Sequence, residues 1–430
     1  MKKILFTSVL WLFIADVQAL ELEPCFIGAD GSGVSTKAYC GKLTVPENRQ
    51  QPEKIIELNI AVIKSTSNEK LDDPLLLLAG GPGQGAVETF AGIVKGIKGL
   101  FPFRDIVLVD QRGTGDSSPL RCEIDPDEFE TLNDLTSDAW KEWTADCHKS
   151  LNADTRFYTT GEAIHDLEAV KAALEISQWN LYGGSYGTRK ALTYMNMFPD
   201  SIRSVVLDAV VPQEQSLGVE HEANLRSTLE RVFDLCEKDE ACQTAFGDVE
   251  QQMWKFLDKL KEEPIKIRLQ SPSTGEYEDV IMTREYAVIA LRMFAYSPET
   301  MGLIPLMVSL ANHGQPEAMA AQAYMLMANL NQGLNNALEI SVSCAEDVPF
   351  MPKETNVQNS LFGDDLFELL HARCELWDSI VVDPVFKEPV VSDIPTLLLS
   401  GEYDPVTPPK NAEQVMKTLS NSRHLIAKGQ

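Results

Sequence analysis

Trp179-Asn180-Leu181-Tyr182-Gly183-Gly184-Ser185-Tyr186-Gly187-Thr188 decides the reading of this chain. It is a short apolar run, then a glycine-rich turn, then the start of a helical pattern over about Tyr186 to Phe198. Gly183 and Gly187 flank Ser185 as G-x-S-x-G. A serine at a sharp strand-to-helix elbow sits in strained backbone, so its neighbours must lack bulk. The positive end of the following helix favours negative charge developing at that serine. Gly184 and Gly187 are expected to let strand and helix close on each other. A plain glycine-rich turn bearing a surface serine is the competing reading.

On either side of the elbow the chain alternates strands and helices. Pro74 to Ala79 and Asp105 to Asp110 are continuous apolar runs, as in strands buried on both faces of a parallel sheet. The first runs into Gly80-Gly81-Pro82-Gly83-Gln84-Gly85, the second into Gln111-Arg112-Gly113-Thr114-Gly115. Gly161 to Leu174 has Ile164, Leu167, Val170, Ala173 and Leu174 at helical spacing. Ser204 to Val210 is a further strand. Upstream, Leu43 to Lys64 reads as two antiparallel strands around a turn at Pro46-Glu47-Asn48, with 55–63 in an edge region. Such alternation predicts an α/β fold with a mostly parallel sheet, helices on both faces and working loops at the strands' C-terminal ends.

After Pro212 the pattern turns helical, with Leu225, Leu229, Val232 and Phe233, then Met253, Phe256, Leu257 and Leu260, as examples. A strand pair over Ile265 to Ile281, around Ser271 to Gly275, interrupts it. The Met- and Ala-rich stretch Ala318 to Leu330 reads as core packing. Sheet character returns at Ile394 to Gly401 and Arg423 to Ala427. The expected organisation is a sheet core over 20–212, a mainly helical cap inserted over 213–388, and the rest of the core over 389–430.

The first residues read as an export signal: Lys2 and Lys3, an apolar run from Ile4 to Ile14, and a small-residue cleavage site at Val17-Gln18-Ala19. The run is short for a membrane span, so no membrane association is expected once 1–19 are removed. Eight cysteines suit an oxidising compartment, periplasmic or extracellular. They fall into four sequence-local couples, which we expect as Cys25–Cys40, Cys122–Cys147, Cys236–Cys242 and Cys344–Cys374. No C-x-x-C or H-x-x-x-H spacing supports a metal, and no cofactor is expected. A net charge of −27 argues against nucleic acid as a partner.

Four motifs occur in order: Ala79-Gly80-Gly81-Pro82-Gly83, Asp110-Gln111-Arg112-Gly113-Thr114-Gly115-Asp116-Ser117, Gly183-Gly184-Ser185-Tyr186-Gly187 and Gly401-Glu402-Tyr403-Asp404-Pro405. Together they resemble the α/β-hydrolase fold, and most of all the exported serine peptidases of the proline iminopeptidase and tripeptidyl aminopeptidase type. The resemblance covers roughly 70–430. Ala79 departs from it, because iminopeptidases commonly carry histidine there, and this tilts the likeness toward the tripeptidyl type. The resemblance implies Ser185 as nucleophile, Asp404 as the triad acid, and a peptide as substrate. The backbone N–H groups of Tyr186 and Gly81 would form the oxyanion hole, since Pro82 has none to offer. Asp110 and Arg112 read as a structural loop pair, and Asp208 as a weaker alternative acid.

The base is harder to find. Of six histidines, His148, His165, His221, His313, His371 and His424, only the last follows Asp404. It lies in the final strand and not in a loop beyond it. We therefore expect the catalytic histidine to follow Gln430, with His424 as the alternative. Glu346 and Asp347, beside Cys344, are candidates for binding a substrate ammonium, against a plain solvated loop. The functions that fit are an exported serine aminopeptidase, an esterase or lipase with the same machinery, and a binding protein on an inactive hydrolase scaffold.

Overall fold

The computed structural model describes residues 20–28, 35–123, 138–270, 275–352, 360–361 and 365–430, with backbone alone for 326–333, 365 and 366. The expected export signal over 1–19 and the hairpin tip from Ser271 to Thr274 lie outside the described residues.

Eleven strands are present among the described residues: β1 (Glu23–Ile27), β2 (Thr36–Asn48), β3 (Gln51–Ile63), β4 (Leu75–Leu78), β5 (Ile106–Val109), β6 (Trp179–Gly184), β7 (Ile202–Asp208), β8 (Ile265–Gln270), β9 (Tyr277–Met282), β10 (Thr396–Gly401) and β11 (Ser422–Ala427). Nine make one sheet in the order β1-β2-β3-β5-β4-β6-β7-β10-β11. The first three strands and the β3–β5 pair are antiparallel. Every pairing from β5 through β4 to β11 is parallel.

The all-apolar strands β4 and β5 lie in the middle of the sheet because both their faces are covered. Leu76, Leu78, Val107 and Val109 point into one core, with Ile164, Leu167 and Val170 of the helix Thr160–Ala173 and Ala191, Leu192 and Met195 of the helix Tyr186–Met197. Leu75, Leu77, Ile106 and Leu108 point the other way, against Phe90, Ala91 and Val94. Alternation of side chains along a strand accounts for this division. Each buried leucine contributes roughly 1.5–3 kcal/mol.

The first hairpin differs from its sequence reading. β2 continues through Pro46 and Glu47 to Asn48, and the turn falls at Arg49 and Gln50. The pairing register slips between Pro46, opposite Ile55, and Asn48, opposite Gln51, so that Glu47 alone faces Pro52, Glu53 and Lys54 and the extra residues lie on β3. Pro52, which has no N–H to give, falls in that irregular stretch. Nor is β3 at an edge, since it lies between β2 and β5. β1, which the sequence reading missed, is the edge strand there, and Cys25–Cys40 staples it to β2. The other disulfides are Cys122–Cys147, Cys236–Cys242 and Cys344–Cys374.

The stretch read as a cap has two parts. The helices His221–Lys238, Val249–Glu262, Arg284–Phe294, Ile304–Asn312 and Glu317–Gly333 enclose a core of their own with the β8–β9 hairpin. Met319, Ala320 and Ala323 are buried in it, as the Met- and Ala-rich pattern predicted. The helix Asn336–Glu346 instead packs Leu338, Ile340 and Val342 with Leu120, Tyr158 and Tyr186.

Candidate active site

Ser185 stands between the end of β6 and the first residue of the helix Tyr186–Met197, at φ 54° and ψ −124°. Positive φ is strained for a residue with a Cβ, and the surroundings must hold it there. Ser185 donates its backbone N–H to Asp208 O at 2.9 Å. Its carbonyl accepts from Thr188 N at 2.8 Å and Thr188 Oγ1 at 2.7 Å. The flanking glycines supply the room: a Cβ on Gly187 would lie 2.1 Å from Leu78 O, and one on Gly183 would lie 2.4 Å from Gly187 O. Gly184, expected to share that task, does not, because a Cβ there meets nothing closer than 4.0 Å. The Ser185 side chain is only partly buried and makes no hydrogen bond among the described residues.

β4 runs beside β6, which brings its glycine loop to the serine. A Cβ on Gly80 would lie 3.2 Å from Ser185 Cβ. Tyr186, as the first helical residue, has no intrahelical acceptor for its N–H. The Gly81 N–H has no backbone acceptor either. Among the described residues, neither N–H thus has a backbone acceptor.

The loop after β10 carries Asp404. Its Oδ1 accepts from Val406 N and Thr407 N, both at 2.8 Å, and its Oδ2 accepts from Thr407 Oγ1 at 2.7 Å. The helix His221–Lys238 grips this loop. Asn224 Nδ2 donates to Val406 O at 2.8 Å, Thr228 Oγ1 to Tyr403 O at 3.2 Å, and Arg231 Nη1 to Glu402 O at 3.1 Å. These residues fall on successive turns of one helix face. Asp208, the weaker candidate, instead accepts from Tyr182 Oη at 2.6 Å.

His424 sits in β11 opposite Leu398, with Nε2 3.0 Å from Ser400 Oγ. Burial lowers its pKa below the usual histidine value. None of the six histidines hydrogen-bonds to Ser185 or Asp404 among the described residues.

Glu346 and Asp347 end the helix Asn336–Glu346 and are 0% exposed. This removes the solvated-loop reading, and leaves neither carboxylate facing open space. Asp347 accepts from Arg189 Nη1 at 2.9 and 3.1 Å, from Leu217 N at 3.0 Å and from Lys387 Nζ at 3.0 Å. Glu346 accepts from Thr160 N at 2.6 Å and Thr160 Oγ1 at 2.7 Å. Thr160 Oγ1 in turn lies 2.6 Å from Tyr186 Oη. Both acids thus brace the helix that follows the serine.

Burial raises the Glu346 carboxyl from 4.5 to about 7, with Arg189 pulling the other way. Between those two values the unfolded chain loses this proton while the folded chain keeps it. The stability it contributes is therefore full below pH 4.5 and lost as pH rises through about 7. Glu346→Gln removes the titration. Relative to the parent, the variant gains roughly 1–3 kcal/mol between about pH 5 and pH 8. Urea unfolding at both pH values checks this, and an equal response of both proteins would refute it.

Asp110 and Arg112 do not pair with each other. Arg112 is fully buried and reaches Asp166 through Nε and Nη2, both at 2.7 Å, and the Phe157 carbonyl at 2.8 Å. Asp110 holds Asn59 Nδ2 and Val87 N, both at 2.8 Å. Lys190, unremarked in the sequence, lies buried with its Nζ 5.4 Å from the Tyr186 ring centre, and burial lowers its pKa to about 7.

Residues 73–239 match the family model described as alpha/beta hydrolase fold, and 359–430 match that of TAP-like protein. The chain has the α/β-hydrolase fold. Serine protease Hip1 of Mycobacterium tuberculosis is 22% identical over 440 aligned residues, covering 94% of this chain and 84% of that protein. Proline iminopeptidase of Aeromonas sobria is 32% identical over 197 residues, 44% of this hydrolase and 41% of that one. Tripeptidyl aminopeptidase of Streptomyces lividans is 29% identical over 204 residues, 43% and 37% of the two chains.

Proposed function

We propose that this α/β hydrolase is an exported serine aminopeptidase, which releases residues or short peptides from the N-termini of peptides through an acyl-enzyme. The reading is carried by Ser185 at a positive-φ elbow beside the glycine loop after β4, where the N–H groups of Tyr186 and Gly81 have no backbone acceptor among the described residues. Ser185 Oγ attacks the scissile carbonyl and passes its proton to a general base. The N–H groups of Gly81 and Tyr186 hold the oxyanion, each worth roughly 3–4 kcal/mol to the transition state. The leaving amine takes the proton back, and water then hydrolyses the ester. Asp404 is assigned to orient the base. His424 is not assigned as that base, because its ring nitrogen is directed at Ser400.

Four disulfides with no free cysteine support export, as such bonds persist in oxidising compartments. No helix among the described residues is long and apolar enough to cross a membrane. The aminopeptidase assignment draws on the names of the relatives, and matched substrates test it. N-acetylation of a peptide amide lowers kcat/KM by roughly 10- to 100-fold, the worth of one charge-assisted contact to the free amine. Equal rates on free and blocked peptides would point to an esterase or endopeptidase instead.

A further inference from the structure

Asn335 is the N-cap of the helix Asn336–Glu346. Asparagine is favoured there because its side-chain oxygen accepts from the second or third helical N–H, a bond worth about 1 kcal/mol. Asn335 makes no such bond. It turns its amide outward and donates Nδ2–H to Gly83 O at 2.9 Å. Its backbone N–H donates to the same oxygen, also at 2.9 Å. The residue is almost completely buried.

The other side of the contact is equally tight. Gly83 has φ 108°, and a Cβ there would lie 2.8 Å from Asn335 O. Gln84 forms an antiparallel bridge with Leu334. Asn336 fixes the same segment to the core, accepting from Cys122 N and donating to Cys122 O, both at 2.9 Å. The end of the cap is therefore fastened to the core and, through Asn335, to the loop beside Ser185.

We propose that Asn335 is a positioning residue for the oxyanion loop. Gly81 and Gly83 both have positive φ, and a loop of such residues is intrinsically free to reorient. An oxyanion donor accelerates reaction only if it is already aimed at the place where charge will develop. The two-point hold on Gly83 O fixes the turn that carries the Gly81 N–H. A helix cap is given up to make that hold. The inference rests on the oxyanion role assigned to Gly81.

The test uses the full-length protein with Asn335→Ala, which deletes one of the two donors, and Asn335→Asp, which keeps the shape but sets an oxygen against the Gly83 carbonyl. Outright loss of an oxyanion donor costs about 10²–10³-fold in kcat, and misaiming one costs less. The expected result is a fall in kcat of roughly 10- to 100-fold, with KM within about twofold. Affinity for a peptidyl trifluoromethyl ketone, which forms the oxyanion, falls by the same factor, while affinity for the product peptide is unchanged. If the alanine variant does not fold, the aspartate variant is judged on the same readouts. Unchanged kcat overturns the proposal, and so does a joint decline of kcat, substrate affinity, product affinity and thermal stability. Turnover surviving in Ser185→Ala would mean that the serine mechanism itself is wrong. A dead Ser185→Ala beside fully active Asn335 variants would remove the positioning role alone.

Discussion

Ser185→Ala yields a folded protein whose turnover is lower by roughly 10⁵- to 10⁶-fold, because the hydroxyl is the only group in the mechanism that bonds to substrate carbon. Stability changes little. The hydroxyl makes no hydrogen bond among the described residues, and the backbone is held by Asp208 O and by Thr188 whatever the side chain. Alanine meets the same positive-φ strain as serine, so that term cancels between the two proteins. Peptide-amide hydrolysis and a thermal melt on one preparation give both quantities. Activity above a trace in the variant would defeat the assignment of Ser185.

Asp347→Ala has the largest expected effect on stability. Arg189 and Asp347 are both 0% exposed, and Lys387 reaches the same carboxylate. Removing the acid leaves a buried guanidinium without its counter-charge, at a cost of roughly 3–5 kcal/mol. Replacing both partners, Arg189→Leu with Asp347→Leu, recovers most of that loss, because the penalty lies in the stranded charge. Glu346 modulates the outcome, since the Asp347 charge helps to keep its proton on. Urea unfolding of the single and double variants decides the matter. A double variant no more stable than Asp347→Ala would show that the pair acts through shape and not charge.

These residues also show where sequence reading stops. β4 and β5 are legible because four successive apolar residues have no use on a half-exposed strand. The elbow is legible because Gly183 and Gly187, either side of Ser185, meet backbone atoms closer than any Cβ allows. Asp404 stands out by following a buried strand. The burial of Glu346 and Asp347 was not legible because two adjacent acids look solvated, and the partner of Asp347, Arg189, is 158 residues away in the chain. Arg189 itself hides within a helix whose pattern would ordinarily put it in water. The turn after β2 was displaced because proline usually ends a strand, and only the pairing with β3 shows that Pro46 keeps its place opposite Ile55. Asn335 carries no local sign at all. Its sequence suggests a helix cap, and its contact is 252 residues distant.

The disulfides join cysteines strictly in order of occurrence, first to second through seventh to eighth, with separations of 15, 25, 6 and 30 residues. A chain entering an oxidising compartment from its N-terminus presents thiols one after another. An oxidant that joins each newly arrived thiol to the one before it makes the native set at the first attempt. If the chain is exported as proposed, consecutive pairing would need a thiol oxidant and would leave an isomerase nothing to correct.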